Sequence, residues 1–200
     1  MGTWFATSMT EKLSSDTRGR LLAAAERLLL TERYDEVSVR AICAAAGANP
    51  AAVHYHFGSK EALVTALLED RLGPLWADRL SMVTDARGSV AEVVDVVLEP
   101  FVALADDPVG RLHLRLLARF VLGGHPVLWN QRWFRMASWV ALLPELTEAE
   151  SRLRWALAFD LIIMRFGGAG SQEREMSQAA IAALREFVVA GLTAPSKEKK

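Results

Sequence analysis

Apolar residues recur every three or four positions along most of the chain, which is the period of an α-helix with one buried face. No stretch alternates apolar and polar residues as a half-buried strand would. In the N-terminal third, the pattern predicts a long helix from residues 14–16 onward, two short helices within 38–58, and another helix that starts at Ser59.

Beyond that third, the same period predicts six further helical segments. Glycine and proline residues mark the breaks between them, and Gly73-Pro74 predicts a kink or break in the helix that starts at Ser59. The predicted segments are residues 76–83, 90–105, 109–122, 126–143, 147–166 and 172–192. The sequence therefore predicts an all-α protein.

The two short helices are joined by a very tight turn. Ser38 can cap the first of them, and Gly47 can end it because glycine tolerates a left-handed backbone. Asn49-Pro50 then has the composition of an N-cap followed by the first helical position. Helices connected this closely must cross steeply, which is the helix-turn-helix arrangement.

The outward face of the second short helix carries small side chains and one phenol. At about 100° per residue, Ala51 and Tyr55 fall opposite the inward Val53, with Ala52 and His54 beside them. Alanine methyl groups suit the thymine methyl of a major groove, and Tyr55 and His54 can hydrogen-bond to phosphates or base edges. This face is therefore predicted to contact DNA.

The helix that starts at Ser59 offers a phosphate clamp. Ser59 can act as its N-cap, and Lys60 lies beside the free N–H groups of its first turn. The full set of residues predicted to contact DNA is Ser38, Arg40, Asn49, Ala51, Ala52, His54, Tyr55, Ser59 and Lys60.

The stretch VRAICAAAGANPAAVHYHFGSKEAL, residues 39–63, resembles the DNA-binding segment of the TetR/AcrR family of transcriptional regulators. The agreement lies in the Gly47 turn, in Tyr55-His56-Phe57 and in Ser59-Lys60-Glu61. The resemblance implies a three-helix DNA-binding head followed by a helical bundle for ligand binding and dimerisation. It also implies a ligand-responsive regulator, most often a repressor, that binds a palindromic operator as a homodimer.

Helix boundaries and this resemblance together predict the domain organisation. The predicted parts are a flexible arm (1–13), the helix-turn-helix domain (14–58), a connector helix region (59–83), the ligand-binding and dimerisation bundle (84–194) and a frayed tail (195–200).

Large aromatic side chains are concentrated in the second half of the chain. They can line a cavity between helices, or they can simply form the core of the bundle. We predict a pocket for a small-molecule effector that includes Trp76, Phe101, His113, Phe120, Trp129, Trp133 and Phe159.

The last two predicted helices carry apolar seams that could form a four-helix interface between two copies of the chain. Burial within one protomer is the alternative, which periodicity cannot distinguish. The predicted interface residues are Leu153, Leu157, Leu161, Met164, Ala180, Leu184, Phe187 and Val188.

Composition limits the class of protein. The 200 residues are 52% apolar, which suffices for a packed core, and the single cysteine, Cys43, excludes an internal disulfide framework. Neither a signal peptide nor a membrane span is visible, so we expect a cytoplasmic protein. The net charge of −1 is unusual for a DNA-binding protein, but residues 37–60 contain no acidic residue.

Catalytic chemistry is not predicted. No nucleophile, base and orienting group share a recognisable spacing, and His54 and His56 lie two apart on a helix, so we predict no enzyme, metal or cofactor. Asp160 is expected to be partly buried, paired with an arginine or facing a cationic ligand. The stripe of Arg111, Arg115 and Arg119 could bind an acidic effector, although a solvated or salt-bridged face is the alternative.

The predicted partners are double-stranded operator DNA, an unknown small-molecule effector and a second copy of the chain. Two other functions remain open: an enzyme that uses an aromatic cavity, and a helical small-molecule-binding or adaptor protein whose DNA head is non-functional.

Overall fold

A computed structural model describes the backbone of residues 3–124, 127–168 and 177–196, and their side chains from residue 16 onward. Within these residues every regular element is a helix, which confirms the all-α prediction. The elements are α1 (Thr3–Thr31), α2 (Val39–Ala45), α3 (Ala52–Phe57), α4 (Lys60–Asp85), α5 (Val90–Asp106), α6 (Pro108–Leu122), a 3₁₀ turn (Arg132–Phe134), α7 (Met136–Val140), α8 (Glu148–Gly167) and α9 (Gln178–Thr193).

The chain divides into two compact units, residues 1–67 and 68–200. In the first unit, α1 packs on α2 and α3, which also pack on each other. Leu21, Ile42, Val53 and Leu63 are completely buried between them. Cys43 is buried too, with its Sγ 3.5 Å from the Pro50 carbonyl oxygen, so it fills the tight crossing of α2 and α3.

Ser38, Gly47 and Ser59 act as predicted, but α3 begins at Ala52 and not at Pro50, because Asn49 Oδ1 accepts from the Ala51 N–H in a turn before the helix. The Ser38 hydroxyl accepts a hydrogen bond from the Ala41 N–H at 3.1 Å, and Gly47, which follows the C-cap residue of α2, has a φ of +57°. The Ser59 hydroxyl likewise accepts from the Ala62 N–H at 3.1 Å, which caps α4. These three predictions from sequence are confirmed.

Two N-terminal features differ from the predictions. Helix α1 continues back to Thr3, through most of the predicted arm at residues 1–13. No glycine or proline occurs between Thr3 and Arg18, so nothing in the sequence stops the helix there. At Gly73-Pro74, where a kink or break was predicted, the break does not occur, because α4 continues through Pro74. Beside this proline, Gln131 Nε2 donates to the carbonyl oxygen of Glu69 at 2.8 Å.

The second unit is a bundle in which α6 packs on α5 and α8, and α9 packs on α5 and α8. Its core includes Phe101, Phe120, Trp155 and Ile162. A Cβ at Gly167 would collide with the Leu114 carbonyl oxygen, so the end of α8 approaches α6 more closely than any other residue would allow.

The predicted helix over residues 126–143 is wrong. Residues 127–131 are irregular and are followed by the 3₁₀ turn and by the short α7. The physical reason lies on α4, where the buried carboxylate of Glu69 accepts hydrogen bonds from the backbone N–H groups of Asn130 and Gln131 and from the Asn130 side chain. These backbone donors are therefore not available for helical pairing.

The first two residues of the predicted frayed tail, Pro195 and Ser196, contact side chains of α8. Arg154 on α8 donates to the carbonyl oxygens of Leu192, Ala194 and Pro195, and the Ser196 hydroxyl donates to Glu150 at 2.7 Å. Residues 197–200 lie outside the described part of the chain.

Candidate functional site

Helix α3 presents an exposed face of small and polar side chains. Ala51, which precedes its first turn, is exposed, His54 is exposed, and Tyr55 is 82% exposed. Such exposure is unusual for an aromatic side chain, and it leaves the Tyr55 ring and hydroxyl accessible to a partner. Ala52, in contrast, is buried next to Val53, because the inward face of this short helix spans both positions. The prediction that Ala52 contacts DNA is therefore corrected.

The imidazole of His54 has a defined orientation. Its Nδ1 lies 3.0 Å from the Gly58 carbonyl oxygen. Because a carbonyl oxygen can only accept, Nδ1 must carry the proton in this contact. The neutral ring then presents Nε2 as an acceptor, suited to an amino group of a base.

Lys60 is held by the loop between α1 and α2. Its ammonium donates to the carbonyl oxygens of Tyr34 at 2.8 Å and Val37 at 2.9 Å, and lies 4.1 Å from the centre of the Tyr34 ring. Two of its three protons are thus already donated within the protein. Its phosphate contact stays a prediction, and the structure gives Lys60 a structural contact that the sequence did not indicate.

The other residues predicted to contact DNA differ in which of their hydrogen-bonding groups are already used within the protein. Ser38 and Ser59 use their hydroxyl groups as helix caps, and Asn49 Oδ1 accepts from the Ala51 N–H at 2.8 Å. Arg40 is exposed on α2 and has no partner among the described residues. In these contacts the Ser and Asn oxygens only accept, so their hydroxyl and amide protons can still be donated to a phosphate, and Arg40 is the one of the four that adds a positive charge.

Arginines of α1 also support the helix-turn-helix, a role that the sequence did not reveal. Arg20 Nη1 donates to the Ala46 carbonyl oxygen at 2.9 Å, and Arg27 Nη2 donates to that of Ala45 at 3.3 Å. They satisfy carbonyl groups left unpaired at the end of α2. No local pattern links residues that lie 18 to 26 positions apart, so sequence reasoning had no signal for them.

A carboxylate lies beside Lys60 at the start of α4. The pKa of the Glu61 carboxyl is lowered, chiefly by a hydrogen bond from its own backbone N–H and further by the hydroxyl groups of Ser59 and Tyr34. The Tyr34 hydroxyl is 3.1 Å from Glu61 Oε1. Glu61 is thereby held ionised, and together with Lys60 it anchors Tyr34 against α4.

A cavity of about 490 Å³ lies within the second unit. Its walls are mostly apolar and aromatic, and its two charged residues are Arg135 and Asp160. The lining consists of Trp76, Val97, Phe101, Leu117, Val121, Val127, Leu128, Trp129, Trp133, Phe134, Arg135, Met136, Trp139, Ala156, Phe159, Asp160 and Ile163.

The structure brings most of the aromatic residues predicted for a pocket to this cavity. Trp76, Phe101, Trp129, Trp133 and Phe159 line it. The other two predicted pocket residues, His113 and Phe120, are buried side chains of α6 that do not line the cavity.

Ring contacts hold the cavity wall together. Trp129 stacks on Phe134 with ring centres 4.9 Å apart, and Trp133 meets Trp139 edge-on at 5.3 Å. Trp129 and Trp133 do not share a helix face, because Trp129 lies in the irregular segment before the 3₁₀ turn. Trp139 was not among the predicted pocket residues, and its Nε1–H donates to the Trp133 carbonyl oxygen at 2.9 Å.

An exposed apolar surface runs along α8 and α9. Leu153, Leu157, Met164 and Phe187 are each more than half exposed, although all are large apolar side chains. Leu161 and Ala180 are half-buried. The remaining two residues predicted for the dimer interface, Leu184 and Val188, are buried within the protomer instead, because they face α5 and α8.

Asp160 is exposed, which corrects the expectation that it is partly buried. Of the predicted arginine stripe, Arg111 is half-buried and donates to the Ala105 carbonyl oxygen at 3.0 Å, so it stabilises the α5–α6 junction.

Among the described residues, no three His, Cys, Asp or Glu side chains are close enough to hold a metal ion, and no described helix is long and apolar enough to span a membrane.

Comparison with known proteins assigns the first unit. The model of a family described as bacterial regulatory proteins, tetR family, matches residues 21–67. This match covers the C-terminal part of α1, all of α2 and α3, and the start of α4. A search of curated proteins found no match. The helix-turn-helix geometry, the exposed face of α3 and the family match agree, so residues 21–67 are similar to the DNA-binding region of tetR-family bacterial regulatory proteins.

Proposed function

We propose that the protein is a ligand-responsive repressor that binds a palindromic operator as a homodimer. The observation that carries DNA recognition is the 82% exposure of Tyr55 beside exposed Ala51 on α3. Small methyl groups allow a helix to approach the base edges of a major groove closely, and the phenol can donate to a base or a phosphate.

The homodimer is supported by the exposed apolar surface on α8 and α9. Large apolar side chains that are contiguous and exposed on one protomer commonly mark an interface. A two-fold axis would turn one recognition helix of each protomer toward one half of a palindromic site.

The effector role is supported by the aromatic cavity. Its volume falls within the range of about 300–1,000 Å³ that is typical of small-molecule sites. None of the described lining residues is Ser, Cys, His or Lys, which favours binding over turnover. A ligand would act by binding the DNA-competent and DNA-incompetent states with different affinities, and α4, which contains residues of both units, is the element whose position we propose to change.

Footprinting on DNA that flanks the coding region tests this function. We expect the full-length protein to protect a palindromic site, and Tyr55→Ala to weaken protection with unchanged thermal stability. Met82→Ala is the matched control, since Met82 is 71% exposed on α4 in the second unit. Absence of any protected site would favour the adaptor with a non-functional head.

A further inference from the structure

We propose that the cavity takes an amphiphilic organic cation, with its charged group at Asp160 and its apolar body against the aromatic walls. This inference deepens the proposed function and depends on it for the biological role of the ligand. It names the chemical class of effector that the lining residues are suited to bind.

The walls offer aromatic faces in place of polar groups. Of the 17 lining residues, seven are aromatic and two are charged. The Nε1–H groups of Trp76 and Trp139 already donate to the carbonyl oxygens of Val97 and Trp133, so these two indoles present no free donor. Aromatic faces attract cations through their quadrupole, and they also bury apolar groups.

Asp160 supplies a negative charge with no partner at the edge of this surface. It is exposed, and no hydrogen bond or ion pair joins it to another residue in the described ranges. It lies on α8 one residue after Phe159, whose ring meets Trp139 at 4.7 Å. A ligand cation can therefore contact the carboxylate while its body remains among the rings.

The positively charged residue of the lining, Arg135, is hydrogen-bonded to the protein itself, unlike Asp160. Arg135 Nε donates to the Trp129 carbonyl oxygen at 3.2 Å, and its Nη2 donates to that of Asn130. The guanidinium is thus occupied in holding the irregular segment before α7. A ligand anion would have to compete with these carbonyl groups, whereas a ligand cation finds Asp160 unoccupied.

A pair of isosteric ions tests the inference. Tetraphenylphosphonium and tetraphenylborate share size and shape and differ in the sign of the charge. Isothermal titration of the full-length protein with each should show binding of the cation at least about tenfold tighter than binding of the anion. Equal or tighter binding of the borate, or no binding of the phosphonium, would overturn the inference.

Variants locate the binding site. Asp160→Asn should weaken phosphonium binding about fivefold and leave borate binding unchanged or tighter. Asp106→Asn, which removes an exposed carboxylate outside the lining, should change neither. Trp129→Ala should weaken binding of the cation, with folding verified by circular dichroism. If Asp160→Asn or Trp129→Ala binds the phosphonium as well as the unmodified protein does, the proposed site is wrong.

An experiment with operator DNA tests the cation inference separately from the proposed function. Phosphonium is added to a preformed protein–operator complex at concentrations that saturate the cavity. Binding without release of DNA would contradict ligand-responsive regulation but leave the cation assignment in place. Operator binding by a protein that fails to bind phosphonium would overturn the cation assignment and leave the DNA-binding function in place.

Discussion

The ammonium of Lys60 lies 2.9 Å from the carbonyl oxygen of Val37, so the first residue of α4 holds the loop that leads into α2. Removing it should therefore loosen the head as well as remove a positive charge. We expect Lys60→Ala to lower the free energy of unfolding by about 1–3 kcal/mol, because two charge-assisted hydrogen bonds and a contact with the Tyr34 ring are lost. Chemical denaturation measures this change.

Arg40→Ala is the matched control for the Lys60 variant. Arg40 is exposed and has no partner in the described part of the chain, so its loss should change stability by less than about 0.5 kcal/mol. If Arg40 contacts a phosphate, gel-shift titrations should show a salt slope smaller by about one. Unchanged stability of Lys60→Ala would contradict the structural role of Lys60.

Glu69 determines the conformation of the cavity segment around Asn130. We expect Glu69→Ala to cost about 1–3 kcal/mol, because the backbone N–H groups of Asn130 and Gln131 lose the carboxylate that accepts their hydrogen bonds. Hydrogen exchange should accelerate at these two amides. Glu99→Ala is the control, since Glu99 forms an exposed ion pair with Arg79 that contributes little. Equal exchange in both variants would exclude this role for Glu69.

Gly167 allows the close approach of α8 to α6. Gly167→Ala should destabilise the protein by about 1–3 kcal/mol, because the added methyl group meets the backbone carbonyl of Leu114, which cannot move aside as a flexible side chain could. Gly19→Ala on α1 meets no atom within 4 Å and should instead stabilise the helix by about 0.5–1 kcal/mol. Thermal unfolding distinguishes the two, and a neutral Gly167→Ala would contradict the packing described.

The exposed apolar surface on α8 and α9 predicts a dimer that charged substitutions in this surface convert to a monomer. The unmodified protein should be a dimer by light scattering, and Leu157→Glu or Phe187→Glu should be monomeric, because a buried unpaired carboxylate is costly at an interface. Met82→Glu, a charge placed on an equally exposed side chain of α4, should remain dimeric. If both interface variants remain dimeric, the dimer interface does not lie on this surface.

Asp95 and Arg185 link α5 to α9, and their pairing should depend on pH. Hydrogen bonds from Arg185 lower the pKa of the Asp95 carboxyl, with Arg185 Nη2 2.7 Å from Asp95 Oδ2. Stabilisation by this pair is therefore fully present above the ordinary carboxyl pKa and is lost as the pH falls through the lower pKa of the folded state. An NMR titration should show the Asp95 pKa rising in Arg185→Gln. An unchanged value would mean that Arg185 is not the cause.

The sequence by itself determined the class of fold, the caps of α2 and α4 and the outward position of Tyr55. Ser38, Gly47 and Ser59 act on backbone groups within a few residues of themselves, so their effect is visible in the order of residues alone. The exposure of Tyr55 follows from helical periodicity, which is equally local.

Only the tertiary structure decided the features that depend on distant side chains. Residues 127–131 are irregular because Glu69, some 60 positions earlier, accepts their N–H groups. Lys60 is turned to a loop more than 20 residues away, and the cavity collects aromatic residues from several helices. Periodicity shows which face of a helix is apolar, but whether another helix, a ligand or a second protomer covers that face is determined by packing.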